Sequence, residues 1–307
     1  MSQMGAGSAV HARVPQDIVL DEPVKRRRAK KRKSSTVYGK PSWVTYLILG
    51  LSVLAFAYPL WWSFVVASGT NSTRAETLPF IPGPNFFSNM KIVLEAIPFW
   101  KALGNSLLIS SIVTLSVVTF STLAGYAFAK LKFRGRDGLM VFVLATMAIP
   151  TQLGIIPLFM VMRELGWQGK VQAVIVPILV TAFGVFFMRQ YLSGVIPDEL
   201  IEAARVDGAN QIRTFWNVAV PAARPAMAIL GLFTFMMAWT DFLWPLIVLN
   251  QSNPTLQTAL SQLQSGYYID YSIVLTGAVM ATVPLLILFF AAGKQLISGI
   301  MQGAVKG

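Results

Sequence analysis

The chain has 307 residues, of which 55% are hydrophobic and 12% charged, and its mean hydropathy is +0.60. A soluble domain usually carries about 25% charged residues, so this chain has too little polar surface to face water, and lipid is the expected solvent. The net charge of +12 is uneven: residues 1–40 hold ten Lys/Arg against three acids, and the other 267 hold fifteen against ten. The absence of cysteine excludes disulfides, thiolate metal sites and thiol nucleophiles.

Residues 1–42 read as a disordered basic cytoplasmic tail, dominated by the run Lys25-Arg26-Arg27-Arg28-Ala29-Lys30-Lys31-Arg32-Lys33. Such a run suits nucleic acid or an anionic membrane surface. Because an apolar span begins about ten residues later, the positive-inside rule favours the membrane, and no nucleic-acid partner is expected. The single histidine, His11, sits in this tail without a second ligand beside it. The first apolar run is too long for a signal-peptide core and lacks an obvious small-residue cleavage site. It is expected to stay as an anchor.

A helix needs about 20 mainly apolar residues to cross the hydrocarbon core. Six stretches qualify: 44–67, 103–129, 139–162, 171–192, 226–249 and 273–293. Their continuous apolar character excludes the alternating strands of a membrane barrel. The loop 130–138 carries Lys130, Lys132, Arg134 and Arg136 against Asp137, and is expected inside; the loop 250–272 has no Lys or Arg and is expected outside. An even number of spans puts both termini in the cytoplasm. Pro150, Pro157, Pro177, Pro245 and Pro284 lie in or beside spans, where they kink helices, through irregular packing or along a translocation path. The expected organisation is the tail 1–42, a first helix and external segment 43–101, a five-helix transmembrane domain 102–293, and a cytoplasmic tail 294–307.

The longest cytoplasmic loop, 193–225, holds the most informative residues. Pro197 followed by Asp198 and Glu199 starts a helix, with acids at the positive end of its dipole. Leu200, Ala203 and Ala204, then Ile212, Phe215 and Trp216, recur at helical spacing. The expectation is two short amphipathic helices joined at Gly208 and lying on the cytoplasmic face. An amphipathic helix resting on lipid would be poorly served by the acids Asp198, Glu199, Glu202 and Asp207.

Glu202-Ala203-Ala204, three residues, Gly208, nine residues, and Val218-Ala219-Val220-Pro221 resemble the EAA signature of bacterial ABC-type importer permeases, with Val in place of Ile and Leu before the proline. The stretch Phe187-Met188-Arg189-Gln190-Tyr191, the fifth-span segment Trp239-Thr240-Asp241-Phe242-Leu243-Trp244-Pro245 and the ending Gly303-Ala304-Val305-Lys306-Gly307 resemble the carbohydrate branch, closest to the second six-span permease of maltose-type importers. The resemblance covers about residue 43 to the end. It implies the type I ABC importer permease fold, all-α with six spans. It implies that Glu202, Ala203, Ala204, Asp207, Gly208 and Pro221 belong to a coupling helix seated in a separate ATPase. It further implies a second homologous permease, two ATP-binding-cassette subunits and an extracellular solute-binding protein as partners. The implied cargo is a di- or oligosaccharide of maltose, trehalose or cellobiose type.

No cofactor is expected on this chain; ATP and Mg2+ belong on the partner. The three Gly-Lys pairs are followed by Pro41, Val171 and Gln295, so none completes a phosphate-binding Gly-x-x-x-x-Gly-Lys-Ser/Thr loop. Asp241 is the one acid inside an expected span. It either lines the solute path beside Trp239 and Trp244, or is a helix-end carboxylate satisfied by a neighbour. In the loop 250–272, Asn253, Pro254, Gly266 and Tyr267, with Tyr268, reach the binding protein if the resemblance holds for this loop, or else form a solvated connector. A secondary transporter would need repeated ion-coupling acids at mid-membrane, and a membrane enzyme a nucleophile or acid–base cluster; neither pattern is present. A permease for glycerol-phosphate esters or another polar solute stays open.

Overall fold

The computed structural model describes residues 42–70, 80–267 and 269–304, with side chains described as far as residue 291. The basic run, His11, Tyr268 and the last three residues of the ending lie outside the described residues. The chain divides into two units, Met1–Ser52 and Val53–Gly307. Of the first, residues 42–52 are described. Ser42 opens a helix by accepting the Val44 N–H at its Oγ (3.3 Å), and the described side chains are exposed.

Among the described residues there are helices and turns and no strand. The helices are α1 (Trp43–Ala67), α2 (Phe86–Ala96), α3 (Phe99–Lys130), α4 (Arg136–Met147), α5 (Ile155–Glu164), α6 (Gln172–Ile175), α7 (Ala182–Val195), α8 (Asp198–Val206), α9 (Gln211–Thr214), α10 (Val220–Thr240), α11 (Leu243–Val248), α12 (Leu256–Ser261) and α13 (Tyr271–Ala304). Four helices are long and apolar enough to cross a membrane alone, and six spans result when each of two bent pairs counts as one.

The kinks expected of prolines in or beside spans appear in the third and fourth, near Pro150 and Pro177. The third turns by 86° between Arg136–Met147 and Thr151–Glu164. Pro150 there is extended (ψ 123°) and bars helix at the residue before it. The fourth turns by 40° between Pro177, in the short turn that ends its first half, and Thr181, whose extended backbone and Oγ1, accepting the Gly184 N–H at 3.2 Å, start a new helix. Pro284, by contrast, lies inside the unbroken α13, which continues past the expected end of its span. The fifth span also differs: its helix stops at Thr240, because Asp241 takes an extended conformation (ψ 124°), and α11 starts afresh.

The core of the second unit has two centres. One joins α3, α7 and α10 through Ile109, Val113, Val117, Met188, Leu192, Ala223, Ala226 and Leu230. Small residues on α3 and α7 let these two helices approach closely, as is common in membranes. A Cβ at Gly125 would stand 2.7 Å from the Met188 Cβ and 2.8 Å from the Arg189 N, and one at Gly184 would stand 2.4 Å from the Ser121 Oγ. The other centre gathers Val93, Phe99, Ala102, Trp239, Leu256 and Ala281. At the end of α1, carbonyls that have no partner within the helix are met by Asn89 Nδ2, donating to Ala67 and Gly69 (2.8 and 2.9 Å), and by the Thr276 hydroxyl, donating to Ala67 (3.0 Å).

Candidate functional site

The loop after α7 is shaped residue by residue. Ile196 is buried, and the extended Pro197 (ψ 148°) turns the chain so that Asp198 and Glu199 fall in the first turn of α8 and Arg205 in its last. Ile201, 3% exposed, anchors α8 in the core that also holds Tyr126 and Phe215. Gly208 ends the helix with φ +76°. Its N–H donates to the Arg205 carbonyl (3.0 Å), and the Ala209 N–H reaches the Ala204 carbonyl (2.9 Å). This paired closure needs a left-handed residue that glycine adopts without strain. Asn210 then caps the next helix, its Oδ1 accepting the Arg213 N–H at 2.8 Å.

Only the first of the two expected short helices stands alone. From Gln211 the chain passes through a π-helical turn, Phe215–Ala219, straight into α10, a continuous rod to Thr240. Pro221 cannot donate to the carbonyl four residues earlier, and the wider turn just before it absorbs that loss. Pro221 therefore sits near the head of the fifth span's own helix.

The apolar rows divide differently from the expectation. Ile201 and Phe215 are buried, while Leu200 (49%), Val206 (88%), Ile212 (70%) and Trp216 (59%) stay exposed. Glu202, Ala203, Asp207 and Gly208 are exposed and Ala204 is half-buried. The loop thus presents small, acidic and apolar groups together on its outer surface.

Its inner side is held by the last turns of α3. Lys130, its side chain 6% exposed, reaches Asp198 with Nζ 2.6 Å from Oδ1. That hydrogen bond, and the ammonium charge, hold the Asp198 carboxyl below the usual carboxylate range. The Tyr126 hydroxyl donates to Gln211 Oε1 (3.3 Å), and its ring packs against Phe215 at 5.5 Å. α3 thereby grips both arms of the loop. Sequence reasoning used Lys130 only as a topology charge and passed over Tyr126 and Gln211; partners so distant along the chain leave no local signal.

The remaining candidates separate. Trp239 is 1% exposed and stacks on Phe235 (5.8 Å, 17°), and Trp244 is 8% exposed and donates from Nε1 to the Ala173 carbonyl (3.0 Å). Neither offers an open ring face in this conformation. Asp241, partly exposed, lies at the break in the fifth span with its carboxylate against the backbone N–H groups of Phe242, Leu243 and Trp244. Asn253 is a hub: Nδ2 donates to the Gly169 carbonyl (3.0 Å) and Oδ1 accepts from Asn105 (3.0 Å), while Asn105 also donates to the carbonyl of the buried Pro254 (2.8 Å). Lys101 Nζ adds a bond to the Ser252 carbonyl (2.6 Å). Gly266 and Tyr267 are exposed.

The loops at 166–169 and 249–255 therefore meet at the start of α3, and those at 130–135 and 196–211 meet at its end. The loop without Lys or Arg thus lies at the opposite end of α3 from the basic loop 130–138, as their charges predict.

Known proteins share this architecture. The chain is 36% identical over 285 residues to the arabinooligosaccharides transport system permease protein AraQ of Halalkalibacterium halodurans, covering 90% of this chain and all of that one. It is 33% identical to the lactose transport system permease protein LacG of Rhizobium radiobacter, over 87% and 97% of the two chains. A chain of a crystallised bacterial ABC transporter that imports the acidic polysaccharide alginate superposes with a TM-score of 0.70 at 25% identity, covering 84% of this chain and 99% of that one. A family model described as binding-protein-dependent transport system inner membrane component matches residues 117–300. The chain belongs to that family and is a multi-pass protein of the cytoplasmic membrane.

Proposed function

We propose that the chain is one of two permeases in an ABC importer for a di- or oligosaccharide, and that the loop 193–225 docks a separate ATPase at the cytoplasmic face. The observation that carries this reading is the loop's division of labour: Ile201, Lys130 and Tyr126 fasten its inner side, while Glu202, Ala203, Val206, Asp207 and Trp216 stand outward. Such a surface suits close docking of another protein, with small side chains permitting approach and Glu202 available to a basic partner residue. The relatives' named cargos, arabinooligosaccharides and lactose, support an oligosaccharide.

The complete importer would hold a second homologous permease, two ATP-binding-cassette subunits carrying ATP and Mg2+, and an extracellular binding protein facing Gly266 and Tyr267. Closure of the ATPases would push α8, and α3 and α10 would carry the displacement into the membrane. Asp241, at the break of the fifth span, is the group placed to meet solute if the helices part there. The test is reconstitution of the chain with its co-purifying partners in liposomes. ATP-dependent uptake of an oligosaccharide, lost in Glu202→Ala, supports the proposal; uptake by the chain alone without ATP overturns it.

A further inference from the structure

Outside the coupling loop, one cationic group lacks the partner its position demands. Arg189 lies on α7 near the cytoplasmic end of the fourth span, where a partly buried charge is costly unless it is paired. It gives one terminal N–H to Gln190 Oε1, its Nε is buried with no acceptor, and it forms no ion pair among the described residues. A guanidinium keeps its charge and five donors at any relevant pH.

Arg189 lines a cavity of about 220 Å3 with Phe128, Arg136, Asp137, Met140 and Leu144. An adjoining opening shares Arg136 and adds Lys132. Arg136 pairs through Nε with the exposed Asp137 (3.1 Å). The cavity is polar at one end and apolar at the other: at 1.5 Å per residue, Leu144 lies about 12 Å along α4 from Arg136, toward the membrane interior. Charged groups at headgroup level above an apolar wall match a lipid, and basic pockets between helices on the cytoplasmic side bind acidic headgroups. A soluble anion would use the arginines and leave the apolar wall uncovered.

We infer that this cavity is a site for an acidic phospholipid of the cytoplasmic leaflet. Its phosphate lies with Arg136 and Arg189, where a guanidinium can bind two oxygens at once, and an acyl chain runs along Phe128, Met140 and Leu144. The site needs only the chain's membrane position and does not depend on the identity of the solute.

The test is native mass spectrometry of the full chain with its co-purifying partners, delipidated in neutral detergent and titrated with phosphatidylglycerol or phosphatidylcholine. Phosphatidylglycerol should be retained about ten-fold more tightly, the scale of one charge-assisted contact. Arg136→Gln, whose side chain is 37% exposed, should remove most of that preference. Leu144→Trp, which fills the apolar wall at a residue 41% exposed, should weaken both lipids, and inorganic phosphate should not compete. Equal retention of the two lipids, or unchanged phosphatidylglycerol binding in either variant, would overturn the inference. So would full competition by phosphate, which marks a simple anion site, or binding to the isolated chain that the partners abolish, which marks a protein contact.

Discussion

The two ends of α3 are built from similar parts and put to opposite uses. At its start, Lys101 and Asn105 hold Ser252, Asn253 and Pro254, and Asn253 turns inward to Gly169, so these polar groups are satisfied within the chain. At its end, Tyr126 and Lys130 hold Gln211 and Asp198, yet the loop 193–225 keeps Glu202, Val206 and Trp216 outward. One end closes on itself; the other is fastened from behind and left open in front. An exposed mixture of acidic, small and apolar groups, fastened from behind, is what the proposed docking of a partner requires.

The contrast can be broken from either side. The largest effect is expected at Glu202: truncating one partner of a docked charge pair costs about 2–5 kcal/mol, so Glu202→Ala should lower ATP-dependent uptake at least about ten-fold. Its melting temperature should stay unchanged, because the side chain is exposed.

Asn253→Ala should do the reverse. Two hydrogen bonds are lost and the Gly169 carbonyl loses a partner, costing about 1–3 kcal/mol of stability in a thermal melt, while the ATP hydrolysed per solute stays constant. Gly208→Ala places a Cβ at φ +76°, a strain of about 1–2 kcal/mol, and should reduce uptake several-fold. Gly208→Asn, which tolerates that conformation, should recover most of it.

The Lys130–Asp198 pair should show a smaller effect, since its carboxylate side is exposed. Lys130→Met or Asp198→Asn should raise the ATP spent per solute, and the exchanged pair K130D/D198K should restore part of the coupling. The smallest effect is with pH. The Asp198 pKa is lowered by Lys130, so the pair's contribution is complete above the ordinary aspartate value of about 3.9 and is lost as pH falls through the lower folded value. The ATP-to-solute ratio should therefore be flat between about pH 6 and 8, in wild type and Asp198→Asn alike.

Much of this was legible in the residues. Apolar length located the spans, loop charge sorted their ends, and the Glu202-Ala203-Ala204 to Pro221 pattern marked the loop that we propose docks the ATPase. The misplaced parts depend on contacts that a linear pattern does not encode. Pro150 breaks its span while Pro284 does not, because only the first lies where the chain turns away from its own helix. In the fourth span Pro177 lies in the turn that ends the first half, and the side chain of Thr181 caps the helix that follows the break. Periodicity could not decide between Leu200 and Ile201 as the buried residue of α8, since that choice belongs to Tyr126 and Phe215 opposite. The inward turn of Asn253 likewise depends on Asn105 and Gly169, both far away in the chain.

The most direct test uses the absence of cysteine from the sequence. Ala203→Cys supplies a single thiol on the outward surface of α8. It is measured by labelling with a membrane-impermeant maleimide in inside-out vesicles, before and after the co-purifying proteins are stripped. The account predicts slow labelling in the native complex, rapid labelling after stripping, and a crosslink to an ATP-binding-cassette subunit when the thiol carries a photoactivatable maleimide. Equal labelling in both preparations, with no crosslinked ATPase, would contradict it.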